Sequence, residues 1–125
     1  VNDDADSAQR LLALWPERAW RRPVAAAERE PFFKLYEKLR RDGLTFDAAL
    51  RAAFRAVLVS APFRYQASPA HPDKVIAEHA MASRLSFMLW GEPPDAELRA
   101  LAASGKLREP ATLDAQVDRL IADPR

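Results

Sequence analysis

The chain of 125 residues contains no cysteine, and this absence excludes several kinds of structure and site. No disulfide can staple the fold, and no thiolate can bind a metal ion within these residues. A CxxCH motif for covalent haem attachment is excluded for the same reason. Because a cysteine-free chain fits any compartment, the absence limits the chemistry without indicating a location.

Glycine and long apolar runs are also scarce. The three glycines, Gly43, Gly91 and Gly105, each follow a stretch with helical periodicity, and the alternation typical of strands is missing. No apolar run approaches the roughly 18 residues that suggest a membrane-spanning helix. The sequence therefore predicts an all-α fold without membrane insertion. We expect a compact bundle of five to six helices, with a proline-rich connection between the third and the fourth.

The chain lacks an excess of either charge sign. Lys plus Arg number 19 and Asp plus Glu number 18, for a formal net charge of +1. Proteins dedicated to nucleic acids normally carry a clear basic excess, so we expect no nucleic-acid partner. Hydrophobic residues make up 49% of the chain, which is enough for a folded core.

Apolar residues at three- and four-residue spacing outline the helices. Thr45 is the expected N-cap of the third helix, and Pro16 is expected to kink the first helix or divide it in two. In the last helix, Leu120 and Ile121 belong to one apolar stripe. The predicted helices cover about residues 6–22, 26–41, 45–60, 75–90, 95–104 and 110–123.

The predicted core comes from the third and fourth helices, which are the two most apolar. A helix that is apolar on two sides, as the fourth is, usually lies between neighbours. We therefore interpret its methionine and aromatic residues as core, not as part of a cofactor site. The predicted core residues are Phe46, Leu50, Phe54, Leu58, Leu85, Phe87, Met88 and Trp90.

The chain is predicted to comprise two helical units. The first covers residues 1–65, a connection covers 66–76, and a second unit begins at residue 77 and runs to 125. We expect the two units to pack as one domain, because the two most apolar helices, one in each unit, need to cover each other.

Arg84 is an exception within the apolar run RLSFMLW at residues 84–90. A buried guanidinium without a partner is too costly, so it must reach solvent, a carboxylate or backbone carbonyls. Asp95, just past the next turn, is the preferred partner in a structural ion pair. The helix-end carbonyls around Ser60 are the other option. A functional interpretation, contact with an anion or a substrate carboxylate, remains open.

No catalytic residue can be assigned from the sequence. The two histidines, His71 and His79, lack the i, i+4 companion of a helical metal pair, so no metal site is predicted. His79 is interpreted as a polar residue at the edge of its helix. Neither a GxSxG nucleophile motif nor a glycine-rich phosphate loop occurs.

Three segments carry a family resemblance. They are RAWRRPV at 18–24, TFDAALRAAFRAVLVSAPFRY at 45–65, and ASRLSFMLWGEPPDAELRALAASGKL at 82–107, followed by DRLIADPR at the end. In order and spacing they resemble the planctomycete-type secreted domains of unknown function, the adjacent families numbered 1595 and 1592. One departure is Ala25, where the family usually has a threonine that caps the second helix.

The resemblance implies a context and not a reaction. Such proteins look like large exported multidomain chains, so this chain would be extracytoplasmic, periplasmic or secreted. Its partners would be other domains or chains of the same assembly. The resemblance implies no cofactor in this chain and allows for haem in a cytochrome-c-type domain elsewhere in the full-length protein. We expect a helical structural and interaction module. The alternative is part of an oxidative or hydrolytic enzyme domain that acts on polymeric substrates.

Overall fold

The computed structural model describes residues 2–65 and 67–124, with the side chains from Asp4 onward in those ranges. The chain divides into two compact units, Val1–Gln66 and Ala67–Arg125, here called the N-terminal and C-terminal units. The helices are α1 (Asn2–Trp20), α2 (Ala26–Arg41), α3 (Phe46–Val59), α4 (Ala61–Arg64), α5 (Lys74–Leu89), α6 (Ala96–Ala103) and α7 (Pro110–Ala122). The expectation that the two units pack as one domain stays a prediction.

The predicted all-α class is confirmed, with seven helices in the described part of the chain where five to six were expected. The additional element is α4, a single turn with a proline at its start. None of the helices in residues 2–65 and 67–124 is long and apolar enough to cross a membrane.

Of the two expectations for Pro16, division of the first helix in two is wrong, because α1 continues through it, and the kink stays a prediction. An interior proline removes a backbone hydrogen bond and costs about 3 kcal/mol. Pro16 is among the fully buried side chains, so its ring contributes apolar contacts that offset part of this cost.

The core of the N-terminal unit lies between α1, α2 and α3. Small residues on α3, Ala49 and Ala53, are completely buried and allow close approach of the neighbouring helices. Trp15 of α1 packs on Phe54 of α3, with ring centroids 4.9 Å apart. The first core cluster contains Ala8, Leu12, Tyr36, Ala49, Leu50 and Ala53.

The start of α2 depends on an ion pair. Ala25 occupies the N-cap position and has no side-chain acceptor, so only half of a capping box is present. The Glu28 carboxylate supplies that half by accepting from the Ala25 N–H at 3.0 Å. Arg22 binds the same carboxylate through two nitrogens, at 2.7 and 3.1 Å. This contact with Arg22 lowers the pKa of Glu28 and holds it in its capping role.

Replacing Ala25 by threonine is expected to stabilise the N-terminal unit by about 1 kcal/mol. The φ and ψ angles of Ala25, −67° and 154°, nearly match those of Thr45, −64° and 159°, whose hydroxyl caps α3. A threonine at 25 can therefore complete the capping box without backbone strain. Urea unfolding measures the gain. Ala25→Val, which has the same branched shape without an acceptor, should give none, and an equal gain in both variants would contradict the capping account.

The C-terminal unit has its core between α5, α6 and α7. Aspartates cap two of these helices, Asp73 at α5 and Asp95 at α6, each accepting from backbone N–H groups of the first turn. Gly91 and Gly105 follow α5 and α6 with φ of 72° and 70°, a conformation that glycine adopts at low cost. The core cluster contains Ala82, Leu85, Leu98, Ala102, Leu107 and Leu120.

The predicted core residues fall into three groups. Leu50 and Leu85 are buried. Phe46, Phe54 and Trp90 are half-buried against the clusters. Leu58, Phe87 and Met88 are exposed, which corrects their assignment to the core. On α5 the cluster shared with α6 and α7 includes Ala82, Leu85 and Leu89, and Met88 lies outside it.

Candidate functional site

The most connected polar cluster of the C-terminal unit is centred on Asp95. Its Oδ1 accepts from the Leu98 N–H at 2.9 Å and so caps α6. Arg119 of α7 donates to both carboxylate oxygens, through Nη1 to Oδ2 at 2.8 Å and through Nη2 to Oδ1 at 3.3 Å. One carboxylate therefore fixes the start of α6 and ties it to α7.

The remaining contacts of Arg119 complete this cluster. Its Nε donates to Oε1 of Gln116 at 2.9 Å and lies 3.4 Å from the Glu97 carboxylate. Its guanidinium carbon lies 5.5 Å from the centroid of the Trp90 ring, within the range of a cation–π contact. The Trp90 indole donates to the Leu120 carbonyl at 2.9 Å. Each guanidinium nitrogen of Arg119 therefore makes a contact within the unit, and the cluster holds α6 and α7 together.

The predicted ion pair between Arg84 and Asp95 is replaced by this arrangement. Asp95 is bound by Arg119, which lies 24 residues further along the chain. Arg84 is exposed on α5, so its guanidinium is hydrated and needs no internal carboxylate. Sequence reasoning missed Arg119. The only signal was its place within the DRLIADPR segment, one turn after Gln116.

A row of buried polar side chains lies along α5. Glu78, His79, Ser83 and Ser86 are all buried. The Glu78 carboxylate accepts from the Arg108 N–H at 3.2 Å, and the Ser86 hydroxyl donates to the Ser83 carbonyl at 3.2 Å. His79 differs, since its Nε2 is buried without a hydrogen-bond partner. It is 7% exposed, so the interpretation as a polar residue at the helix edge is wrong.

The stability of the C-terminal unit is expected to fall in mild acid because of His79. Burial lowers the pKa of this imidazole below its ordinary value of 6.5. The unfolded chain therefore binds the proton more readily, and the free energy of unfolding decreases as the pH falls below about 6.5. Urea unfolding at pH 7.5 and pH 5.5 measures the difference, and His79→Gln should reduce it. If the free energy of unfolding changed equally with pH in the unchanged chain and in His79→Gln, groups other than His79 would cause the effect.

The two histidines show no catalytic or metal-binding arrangement in the described residues. His71 lies in the connection before α5, where its Nδ1 accepts from the Asp73 N–H at 3.1 Å. That bond shapes the turn leading to the N-cap of α5. No group of three or more histidine, aspartate or glutamate side chains positioned to hold a metal ion occurs in residues 2–65 and 67–124.

A groove of about 320 Å³ lies between α1 and α2 in the N-terminal unit. It is lined by Gln9, Leu12, Ala13, Ala26, Arg29, Glu30 and Phe33. Its charged groups are already engaged: Arg29 donates to the Val24 carbonyl at 2.9 and 2.6 Å, and Glu30 pairs with Lys34 at 2.7 Å. None of the residues singled out from the sequence lines it. The groove can accept an apolar group, but it offers no converging polar groups for a reaction.

Large apolar side chains are exposed on both units. Val59 and Tyr65 lie near the end of the N-terminal unit, and Met88 and Ile121 lie on α5 and α7. Met88 is 72% exposed, although it stands in the most apolar stretch of the chain. Apolar surface of this kind marks a contact site where the exposed side chains form a contiguous patch, whereas single exposed residues are ordinary.

Comparison with protein families identifies both units. Residues 7–67 match the model of PSD5, a protein of unknown function (DUF1595), and residues 76–125 match that of PSD4, a protein of unknown function (DUF1592). The resemblance to these two adjacent families is thereby confirmed. No curated protein and no solved structure matches the chain.

Proposed function

We propose that this chain, which comprises the adjacent domains of unknown function DUF1595 and DUF1592, is a helical structural and interaction module. It would belong to a larger exported, cytochrome-associated protein. Its partners would be other domains or chains of the same assembly. Haem would be carried elsewhere in that protein and not by these residues.

The exposed apolar side chains carry the proposal. Met88 and Ile121 remain in solvent while Leu85 and Leu120, on the same helices, are buried. Burying one such side chain contributes about 1.5–3 kcal/mol, so a partner surface that covered several of them would gain substantial affinity. In the free chain these side chains stay in water and contribute none of this free energy.

The use of the polar residues also favours a contact role. Asp95 and Arg119 join helix ends, Glu28 caps α2 together with Arg22, and Glu78 binds a backbone N–H. Acid–base catalysis needs acidic or basic groups that are positioned to exchange protons with a substrate. The alternative of an oxidative or hydrolytic enzyme domain has no such arrangement to support it in the described residues.

The intact mass and the visible absorption spectrum of the protein purified from its source test this proposal. A mass far above 14.0 kDa together with a haem Soret band is expected if the chain is one part of a cytochrome-associated protein. A mass near 14.0 kDa without a chromophore would overturn the proposed context.

A further inference from the structure

One side of α5 combines a charge with an apolar group. Arg84 and Met88 are one helical turn apart, so they lie next to each other on this side, here called the α5 outer strip. Both are exposed. The residues three and four positions from Arg84 are Ala80, Met81, Phe87 and Met88, none of them acidic. Within the described part of the chain, no carboxylate forms an ion pair with the Arg84 guanidinium.

The exposed side of α7 has the opposite charge. Asp114, Asp118 and Ile121 follow one another at i, i+4 and i+7 and are all exposed, forming the α7 outer strip. The neighbouring Arg119 is bound to Asp95 and is therefore occupied. In residues 67–124, no lysine or arginine forms an ion pair with Asp114 or Asp118. The strip thus offers two carboxylates beside an apolar side chain.

We propose that a second copy of this chain is the partner of the α5 outer strip, and that it docks through its α7 outer strip. The Arg84 guanidinium of one copy would pair with Asp114 and Asp118 of the other, and Met88 would pack on Ile121. Arginine and methionine are enriched in protein interfaces, and complementary charge steers such encounters.

The spacing of the two strips is compatible with this pairing. The rise of about 1.5 Å per residue separates Arg84 from Met88 by about 6 Å along the axis of α5. The same rise separates Asp118 from Ile121 by about 4.5 Å along α7. When the two helices run in the same direction with Arg84 opposite Asp118, Met88 therefore lies opposite Ile121. Both strips belong to the C-terminal unit, so each copy supplies both sides of the contact.

The contact is expected to be weak and dependent on salt. Each strip contains two or three side chains, fewer than the roughly 20 residues a side of a standard interface. Exposed charge pairs are screened, so high salt should weaken the association. The inference rests on the proposed contact role and specifies one partner. If the chain is a monomer, this inference fails, while the mass and spectrum of the native protein still decide the proposed function.

Sedimentation equilibrium of the full chain up to about 1 mM tests the inference, because weak interfaces associate in this range. The average mass should rise with concentration in low salt and fall in 0.5 M sodium chloride. Arg84→Glu and the double variant Asp114→Lys/Asp118→Lys should each raise the dissociation constant about tenfold or more, because each places like charges opposite one another.

An equimolar mixture of the two variants supplies the decisive control. The carboxylate introduced by Arg84→Glu in one chain then faces the two introduced lysines of the other chain. The unchanged Arg84 of the double variant faces the unchanged aspartates, so association should return. A misfolded variant could not produce this recovery. A chain that stays monomeric at about 1 mM, an association that neither variant weakens, or a mixture that stays dissociated would each overturn the inference.

Discussion

Replacing Leu120 by alanine is expected to lower the free energy of unfolding of the C-terminal unit by about 3 kcal/mol. Leu120 is 1% exposed and lies in the cluster that joins α5, α6 and α7. Its truncation removes apolar burial and leaves a cavity that the surrounding helices fill only in part. Hydrogen exchange of the α5 and α7 amides measures the loss within this unit, without assuming that the whole chain unfolds in one step.

Ile121 provides a matched control on the same helix. The two residues were assigned to one apolar stripe from the sequence, but Ile121 is 66% exposed. Ile121→Ala should therefore change the stability by less than about 0.5 kcal/mol, as is usual for surface substitutions. If both substitutions destabilised the unit equally, Ile121 would be part of the core and the proposed α7 outer strip would lose its apolar residue.

Replacing Asp95 by alanine is expected to cost the C-terminal unit about 2–3 kcal/mol. Loss of a helix N-cap costs about 1 kcal/mol. The Arg119 guanidinium, which Asp95 holds at 2.8 Å, would also lose its two-point contact with that carboxylate in a partly buried position, while Gln116 and Glu97 remain near its Nε. A hydrogen bond to a charged group contributes about 1.5–3 kcal/mol, and the partial exposure of both side chains reduces this value.

The control for Asp95→Ala is Asp73→Ala at the start of α5. The Asp73 carboxylate also caps a helix, accepting from Val75 and Ile76 N–H at 2.8 and 3.2 Å. Asp73 has no arginine partner in the described residues, so its loss should cost only about 1 kcal/mol. Thermal unfolding followed by circular dichroism compares the two variants. Equal losses would mean that the pair between Asp95 and Arg119 contributes nothing to stability.

The helices were predictable because their signals are local. The second helix was expected at 26–41 and is Ala26–Arg41, since its apolar residues recur at three- and four-residue spacing there. Thr45 caps α3 as expected, its hydroxyl accepting from the Ala48 N–H at 3.3 Å. The single turn α4 was missed because it begins at Ala61, directly after Ser60, where the third helix was expected to end.

The packing face of α5 could not be predicted. Almost every residue between Leu85 and Trp90 is apolar, so periodicity does not distinguish the packed side from the free side. Leu85 is buried and Met88 is exposed because α6 and α7 pack on only one side of α5. Arg84 then needs no internal partner because it stands on the free side.

The candidate site required tertiary information for the same reason. The partner of Asp95 comes from a helix 24 residues away, and no sequence spacing identifies Arg119 in advance. The burial of His79 likewise depends on its surroundings, because a lone histidine on a helix is found both in cores and on surfaces. The sequence predicted a structural ion pair for Asp95. In the structure its carboxylate forms that pair with Arg119, and it also caps α6.

Oxidation of the two methionines shows whether the free side of α5 is a contact surface in the native protein. Met88 is exposed and Met81 half-buried, so in the isolated chain, diluted to prevent self-association, hydrogen peroxide should oxidise Met88 much faster. Peptide mass spectrometry measures both rates in the isolated chain and in the protein purified from its source. If neighbouring copies in the native assembly cover the free side of α5, Met88 should be strongly protected in the native protein. Rapid oxidation of Met88 in both samples would contradict it.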